Sequence, residues 1–475
     1  MQKFKTRKKL ETIPLRTYNL FILVFLFGMG LSSAQYRHRG SFEQSAIAAK
    51  LQNPFWTAAN TLGQRSNDTD ALSILQYNYN QFLTEGRFLK VGISSFIDFD
   101  SQQQLIPRFS TYFAQLDWDE VSIAAGARPR KEKYLGLSST NGDILWSNNA
   151  RPMPGLEIFT SKPIYLNTWF GVSGGFANYW HTDDRFVDGA MVHHKNLEFT
   201  FKLNPNARLT LGAHHYAQWG GTSESQGNLP GGLGAFTDVL FIKNGEGTVL
   251  APGEERTGNH LGSYRIAYHQ QLKGSAFDVY YQSLFEDSSG REGHTFPDGL
   301  WGVFWQLPSK SVLKGVLYEY VQTNWQSGVR PERGHDDYFN STVYQSGWTH
   351  YGRTIGIPFI RPNADGVGIA NNMVKAHHFG VMGESGGLQL RAMASFATNE
   401  GLSRERFVDT QKVAYLQLGG TYHWNTNLKL HLTTAGDFDG MNFSNTYAVL
   451  GGITYKIAKR HRYYTGYLDF EPEYD

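Results

Sequence analysis

The stretch Thr446-Tyr-Ala-Val-Leu-Gly-Gly-Ile-Thr-Tyr-Lys-Ile-Ala458 decides the fold. Every second residue gives one face of Tyr447, Val449, Gly451, Ile453, Tyr455 and Ile457, and a second face of Thr446, Ala448, Leu450, Gly452, Thr454 and Lys456. Side chains alternate sides along a strand, so this segment reads as a strand with an apolar face and a wetter one. Tyrosines stand near both ends of the apolar face, where a membrane interface favours them.

The same alternation recurs along the chain. Leu416, Leu418, Tyr422 and Trp424 alternate with Tyr415, Gln417, Thr421 and His423, and Leu428, Leu430 and Leu432 with Lys429, His431 and Thr433. Leu197, Phe199 and Phe201 oppose Glu198, Thr200 and Lys202, and Tyr112, Ala114, Leu116 and Trp118 oppose Thr111, Phe113, Gln115 and Asp117. The polar face often carries full charges, which a wet barrel interior tolerates. Short turn pieces at 204–208, 425–427 and 273–275 separate some strands, and Gly/Pro/Asn-rich segments at 220–259, 326–337 and 361–371 separate others. Short turns at one end and long loops at the other are how outer-membrane barrels are built. A soluble propeller or sandwich also alternates, but some four hundred uninterrupted residues exceed a single ordinary sandwich of about 100. Only Ser41–Gln52 reads as helical, and RYYTGYLDF, ending at Phe470, reads as the strand that closes the barrel.

Before this region the chain carries an address. Residues 1–16 hold six basic residues and one acid, an apolar run follows from Leu20 to Leu31, and Ser32 and Ala34 supply small residues for cleavage. That order describes a secretory signal peptide cut between Ala34 and Gln35, and twelve apolar residues fall short of the about twenty a spanning helix needs. The expected division is a signal peptide at 1–34, a periplasmic segment with a short helix at 35–68, and an all-β transmembrane barrel at 69–475. The whole chain has 44 Lys+Arg and 42 Asp+Glu, and removing the signal leaves 38 against 41. A net charge of −3 excludes an argument for nucleic acid or other anionic partners from charge. There is no cysteine among 475 residues, which excludes disulfides, thiol nucleophiles and Cys-ligated metals. Aromatics reach 15% and Gly 51 residues, a composition that suits an all-β chain.

Two segments offer the chemistry a sugar requires. NGDILWSNNARPMP from Asn141 places Asp143, Trp146, Asn149 and Arg151 on a turn-rich loop whose prolines cannot donate to a ladder. GWTHYGRT supplies Trp348, Tyr351 and Arg353, and QWGG supplies Gln218 and Trp219. Flat aromatics stack on a sugar ring's C–H face, while amide, carboxylate and guanidinium groups bind its hydroxyls or carboxylates. The same residue types also fill wide barrels without binding anything. The doublets His193-His194, His214-His215 and His377-His378 point one imidazole of each pair away from the other, so no metal or other cofactor is expected. No GxSxG elbow is present, and Asp143, Glu157, Glu286, Asp287 and Glu319 show no spacing that marks a glycosidase pair.

The order of motifs resembles the capsule assembly protein Wzi family, in the form seen in Bacteroidetes-like bacteria. The resemblance is carried by NGDILWSNNARPMP, MVHHKNLEF, HHYAQWGG, GNHLGSY, FEDSSG, DGLWGV, YEYVQTNWQSG, DDYFN, YQSGWTHYGRTIGIPF and VKAHHFG, running from Asn141 to Gly380. It implies an outer-membrane barrel of about eighteen antiparallel strands that acts as a lectin, not an enzyme, and anchors or organises capsular or other surface polysaccharide. It further implies a helical plug at the periplasmic end, for which Ser41–Gln52 is the available segment. A porin or oligosaccharide export channel and an outer-membrane hydrolase remain the alternative functions.

Overall fold

The computed structural model describes residues 36–99, 107–243, 257–286, 292–328, 336–439 and 445–461. Eighteen strands form a closed antiparallel barrel. In chain order they are β1 Tyr36–Lys50, β2 Ala71–Thr84, β3 Arg87–Phe99, β4 Arg108–Trp118, β5 Val121–Ala127 and β6 Pro154–Thr160. There follow β7 Phe170–Trp180, β8 Met191–Asn204, β9 Ala207–Trp219, β10 Asn259–Leu272, β11 Ser275–Ser283 and β12 Gly299–Gln306. The last six are β13 Leu313–Gln322, β14 Val374–Ser385, β15 Leu388–Gly401, β16 Arg406–His423, β17 Leu428–Asp439 and β18 Thr446–His461. Each pairs with its chain neighbour, and β1 pairs with β18 from Tyr36↔His461 to Lys50↔Tyr447, which closes the cylinder without an edge.

The faces of β18 are those the alternation specifies. Ile457 is 63% exposed on the outside, while Leu450 is 6% exposed on the inside. Outward Leu416, Leu432, Phe199 and Ile158 continue the apolar surface. Trp118, Trp169, Tyr422 and Trp424 ring it near the short turns, and Trp180, Tyr264, Phe396 and Tyr447 ring it toward the other end. A belt of this kind faces lipid and not water. No helix among the described residues is long and apolar enough to cross a membrane, so the strands do the crossing. The two-residue turns, such as Lys273-Gly274 with Gly274 at φ +77°, all lie at the end where β1 begins. Every connection longer than nine residues lies at the opposite end, the extracellular side in barrels of this kind.

Two sequence expectations are corrected. Ser41–Gln52 is not a helix: Tyr36–Lys50 is a full barrel strand, so the barrel's first strand starts at residue 36, ahead of the expected 69. Ala, Gln, Glu and Lys favour helix locally, but pairing on both sides overrides that preference. Outward Phe42 faces lipid while inward Glu43 reaches Arg65 at 3.7 Å. The helix of this region is instead a single turn, α1 at Phe55–Ala58, seated inside the barrel. Closure is made by β18; the signal peptide, its cleavage point and the RYYTGYLDF segment lie outside the described residues. A second helix, α2 at Gly232–Phe241, lies on the outer wall, where Phe236 meets Trp219 at 5.4 Å and outward His193 at 5.4 Å.

Candidate functional site

The long connections do not all project outward. Residues 128–153 and 336–372 fold back into the lumen and bury each other. Ile144, Leu145, Trp146, Tyr338, Phe339, Trp348, Ile355, Ile357 and Phe359 belong to one buried cluster, which includes inward wall residues Tyr179, Tyr216, Tyr280 and Val321. The turn at Asn141-Gly142 starts this plug: both residues have left-handed φ, at +56° and +69°, and the Asn141 side chain accepts from Lys133 N at 2.7 Å and donates to Lys131 O at 2.9 Å. The two segments then bond through their backbones, Ser147 N to Ile355 O at 2.8 Å and Ile357 N to Ile144 O at 3.2 Å.

Irregular backbone inside a barrel must find partners on the wall, and polar wall residues supply them. Glu319 of β13, fully buried, accepts from Ser138 Oγ at 2.6 Å, Ser139 N at 2.8 Å, Ser139 Oγ at 2.6 Å and Tyr280 OH at 2.6 Å. Gln282 Oε1 accepts from Ile144 N at 2.9 Å. His378 bonds Leu137 O through Nε2 at 2.7 Å and Ser395 Oγ through Nδ1 at 2.7 Å. At the long-loop end, Asp298 accepts from Trp325 N at 3.0 Å, Gln326 N at 2.8 Å and Tyr338 OH at 3.1 Å. These carboxylates are occupied as staples. Glu157 is likewise held by Arg128, and Glu286 accepts from Phe339 N at 2.6 Å; Asp287 lies outside the described residues.

A latch ties the β7–β8 loop to the plug. Asp183 Oδ1 lies 3.1 Å from His350 Nδ1, and Asp183 Oδ2 accepts from Tyr351 N at 2.9 Å. Arg185 donates to His181 Nδ1, to Thr349 O at 3.1 Å and to Gly347 O at 3.3 Å. Burial, helped by Arg185, pushes His181 down to about 3, so it is a neutral acceptor at pH 7. Burial also lowers His350. Burial alone would raise Asp183, but His350 and Arg185 outweigh it and hold the carboxylate well below its usual range. Among the described residues, His181, Asp183 and His350 form the one group of potential metal ligands, with ligand atoms within 4.8 Å. Arg185 already bonds the His181 nitrogen such an ion would use, so the group serves as a hydrogen-bonded latch, with His350 Nε2 and Arg185 Nε left buried without a partner among the described residues.

The structure gathers eight of the nine sequence-selected residues in the plug or against it. Trp348 has no exposed surface and donates its Nε1–H to Leu145 O at 2.7 Å. Trp146 is buried between Tyr179 at 4.7 Å and Tyr216 at 5.6 Å, with the Arg130 guanidinium 4.6 Å over its ring. Asp143 Oδ1 accepts from Leu145 N at 3.0 Å and Gln282 Nε2 at 3.2 Å, and Asn149 Nδ2 donates to Thr354 O at 3.0 Å. Arg151 lies 3.7 Å over the Tyr351 ring, Arg353 donates to Arg65 O, and Gln218 Nε2 donates to Gly347 O at 3.1 Å. Asp143, Tyr351 and Arg353 keep partial exposure; the two tryptophans keep no open face. Trp219 is separated from the rest. It points outward, next to inward Gln218, and donates to Asn178 Oδ1 at 3.2 Å beneath α2. The histidine doublets split in the same way: His194, His214 and His378 face inward, while His193, His215 and His377 face out. The sequence reading missed the latch, although the run His-Thr-Asp-Asp-Arg at 181–185 between two strands was its available signal.

The segment from Arg108 to Asn372, which contains the plug, the latch and ten of the wall strands, β4 to β13, matches the family model of the capsule assembly protein Wzi. The chain belongs to the Wzi capsule assembly family. Among solved structures it is similar to Wzi of Escherichia coli, described as an outer-membrane protein involved in group 1 capsule assembly and a carbohydrate-binding β-barrel. The two share 14% identity over 93% of this chain and 89% of that one, with a TM-score of 0.55, a likeness of fold. OccK5 of Pseudomonas aeruginosa shares 9% identity over 90% of this chain and 99% of its own, with a TM-score of 0.48. OccAB2 of Acinetobacter baumannii shares 10% over 89% and 98%, also at 0.48. Among curated proteins none matches the chain. As a Wzi-family barrel with a lipid-facing belt, the protein resides in the outer membrane.

Proposed function

We propose that this barrel binds surface polysaccharide and anchors or organises it at the cell surface without cleaving it. The observation that carries the reading is the Wzi family match across 108–372, the part of the chain that builds the plug. The plug supports it physically. A lumen filled by a buried cluster and stapled to Glu319, Gln282 and His378 suits a presenting surface better than an open conduit. The carboxylates weighed for hydrolysis favour the same reading: Glu319 spends its acceptor capacity on four donors, and Glu157 on arginine.

Capture would be multivalent. A single sugar contact contributes about 1 kcal/mol, and a repeating polymer touching many barrels gains retention from avidity. Of the selected set we assign such contacts to Asp143, Tyr351 and Arg353, which keep partial exposure, with buried Trp146 and Trp348 as scaffold. The test is equilibrium binding of the purified barrel to polysaccharide isolated from its own host. Saturable binding without loss of polymer length is expected; shortening of the polymer, or no binding at polymer concentrations that saturate the cell surface, overturns the reading.

A further inference from the structure

We propose that the lumen holds a second carbohydrate site, below the plug, which takes one carboxylate-bearing pyranose unit; it rests on the reading that the ligand is a surface polysaccharide. A cavity of about 160 Å³ lies between the plug, α1 and the wall of β15 to β18. That is below the about 300–1,000 Å³ of drug-sized pockets and several times the about 30 Å³ share of one water. It suits a single sugar ring.

The wall of this cavity is built by register. Arg391, Gly419, Thr433 and Leu450 are direct cross-strand partners in one inward row, and Met393, Gln417, Ala435 and Ala448 form the next. Small residues at the centre of both rows leave a depression, and Gly419 stands between the side chains of Arg391 and Thr433 without filling it. From the opposite side the plug presents Asn148 and Glu132, and α1 presents Trp56, whose Nε1–H is tied to Ser395 Oγ at 3.1 Å.

The polar groups here differ from those above. Carboxylates such as Glu319 and Asp143 are engaged by hydroxyl, backbone and amide donors, whereas Arg391 of the wall and Glu132 of the plug line the cavity with no ion-pair or hydrogen-bond partner among the described residues. An unpaired guanidinium fork matches a carboxylate in two parallel hydrogen bonds. Glu132 and the side-chain carbonyls of Gln417 and Asn148 are suited to ring hydroxyls, the amide groups of the latter two donating to Trp56 O at 3.0 Å and Arg130 O at 3.3 Å, while buried Trp56 closes one side of the cavity. That combination selects an acidic sugar over a neutral one. Arg391, Met393, Gln417 and Thr433 all lie on the short-turn halves of their strands, so this site is on the other side of the plug from the latch.

The experiment uses the purified full-length protein in detergent, titrated with methyl glucuronoside and methyl glucoside. The wild type is expected to bind the glucuronoside saturably and more tightly than the glucoside. Arg391→Gln should weaken the glucuronoside about tenfold, the scale of one charge-assisted contact. Gly419→Phe should abolish binding of both. A Cβ at Gly419 comes within 3.4 Å of Thr433 Oγ1 alone, at 3.1 Å, with the Arg391 backbone oxygen at an ordinary 3.9 Å, so the barrel should keep its heat-modifiable mobility on gels. No saturable binding by the wild type, or equal binding by both variants, overturns the site. Host polysaccharide is titrated against the same preparations. Polymer bound by the wild type but no glucuronoside bound overturns the inner site and leaves the surface reading standing. Glucuronoside bound in the predicted variant order, with no polymer bound, supports the inner site and overturns the surface reading.

Discussion

The barrel wall and its plug are built from the same chain by opposite means. Strands β15 to β18 hold themselves through continuous backbone ladders and a lipid-facing row such as Leu416, Leu432 and Ile453. The plug has almost no ladder of its own. It is held by buried aromatics and by wall side chains such as Glu319 that accept from its backbone and hydroxyls. The wall is therefore robust to a change of any one inward residue, and the plug is sensitive to single losses.

Trp348→Ala should show the largest difference. Removing a fully buried indole and its bond to Leu145 O leaves a cavity in the plug, a loss of about 3–5 kcal/mol of plug stability. Limited proteolysis of the 336–372 segment should accelerate while the barrel keeps its folded gel mobility; unchanged proteolysis would remove the distinction. Glu319→Ala should come next, at about 3 kcal/mol, because Ser138, Ser139 and Tyr280 lose a buried charged acceptor. Planar-bilayer conductance should rise above that of the wild type as the plug loosens.

On the wall, the sidedness of β18 sets the size of the effect. Ile453→Arg places a charge on the lipid face near mid-strand and should cost about 2–4 kcal/mol of barrel stability, measured by reversible urea unfolding in lipid. Lys456→Gln, inward on the same strand, should change it by no more than about 0.5 kcal/mol. Equal costs would contradict the assignment of faces.

The latch gives the smallest and most conditional effect. His181 and His350 are held below the ordinary value by burial, so the folded latch favours the neutral imidazoles. Its contribution is complete above the unfolded value of about 6.5 and is lost as pH falls below it toward the folded value of about 3 for His181. Asp183, held low, adds a loss of the same sign below its ordinary range. Proteolytic release of the 181–190 loop should accelerate on acidification from pH 7 to 5, and His350→Gln should flatten that dependence. A flat wild-type profile would show that the latch does not titrate in this range.

The same contrast explains what could be read in advance. Faces of β16 to β18 and the hairpins at Pro205-Asn206, Lys273-Gly274 and Thr426 were legible because alternation and turn chemistry are local. The first strand reads locally as helix because Ala46 to Lys50 carry helix-favouring residues, whereas their partner β18 lies some four hundred residues away. Trp146, Trp348 and Arg151 were recognisable as a chemically rich set, but whether they face a ligand or one another depends on which loops fold inward, and no local pattern encodes that. His181, Asp183 and Arg185 meet His350 from 165 or more residues away, and Arg391 meets Thr433 only through strand register.

The most direct test of polysaccharide anchoring is the partition of polymer in the native, capsule-producing host with this gene deleted, and again with it restored. Cell-attached and shed polysaccharide are measured after confirming that the protein fractionates with the outer membrane. The account predicts less attached and more shed polymer in the deletion, reversed by complementation. Unchanged partition, with the barrel present in the wild type's outer membrane, would contradict it.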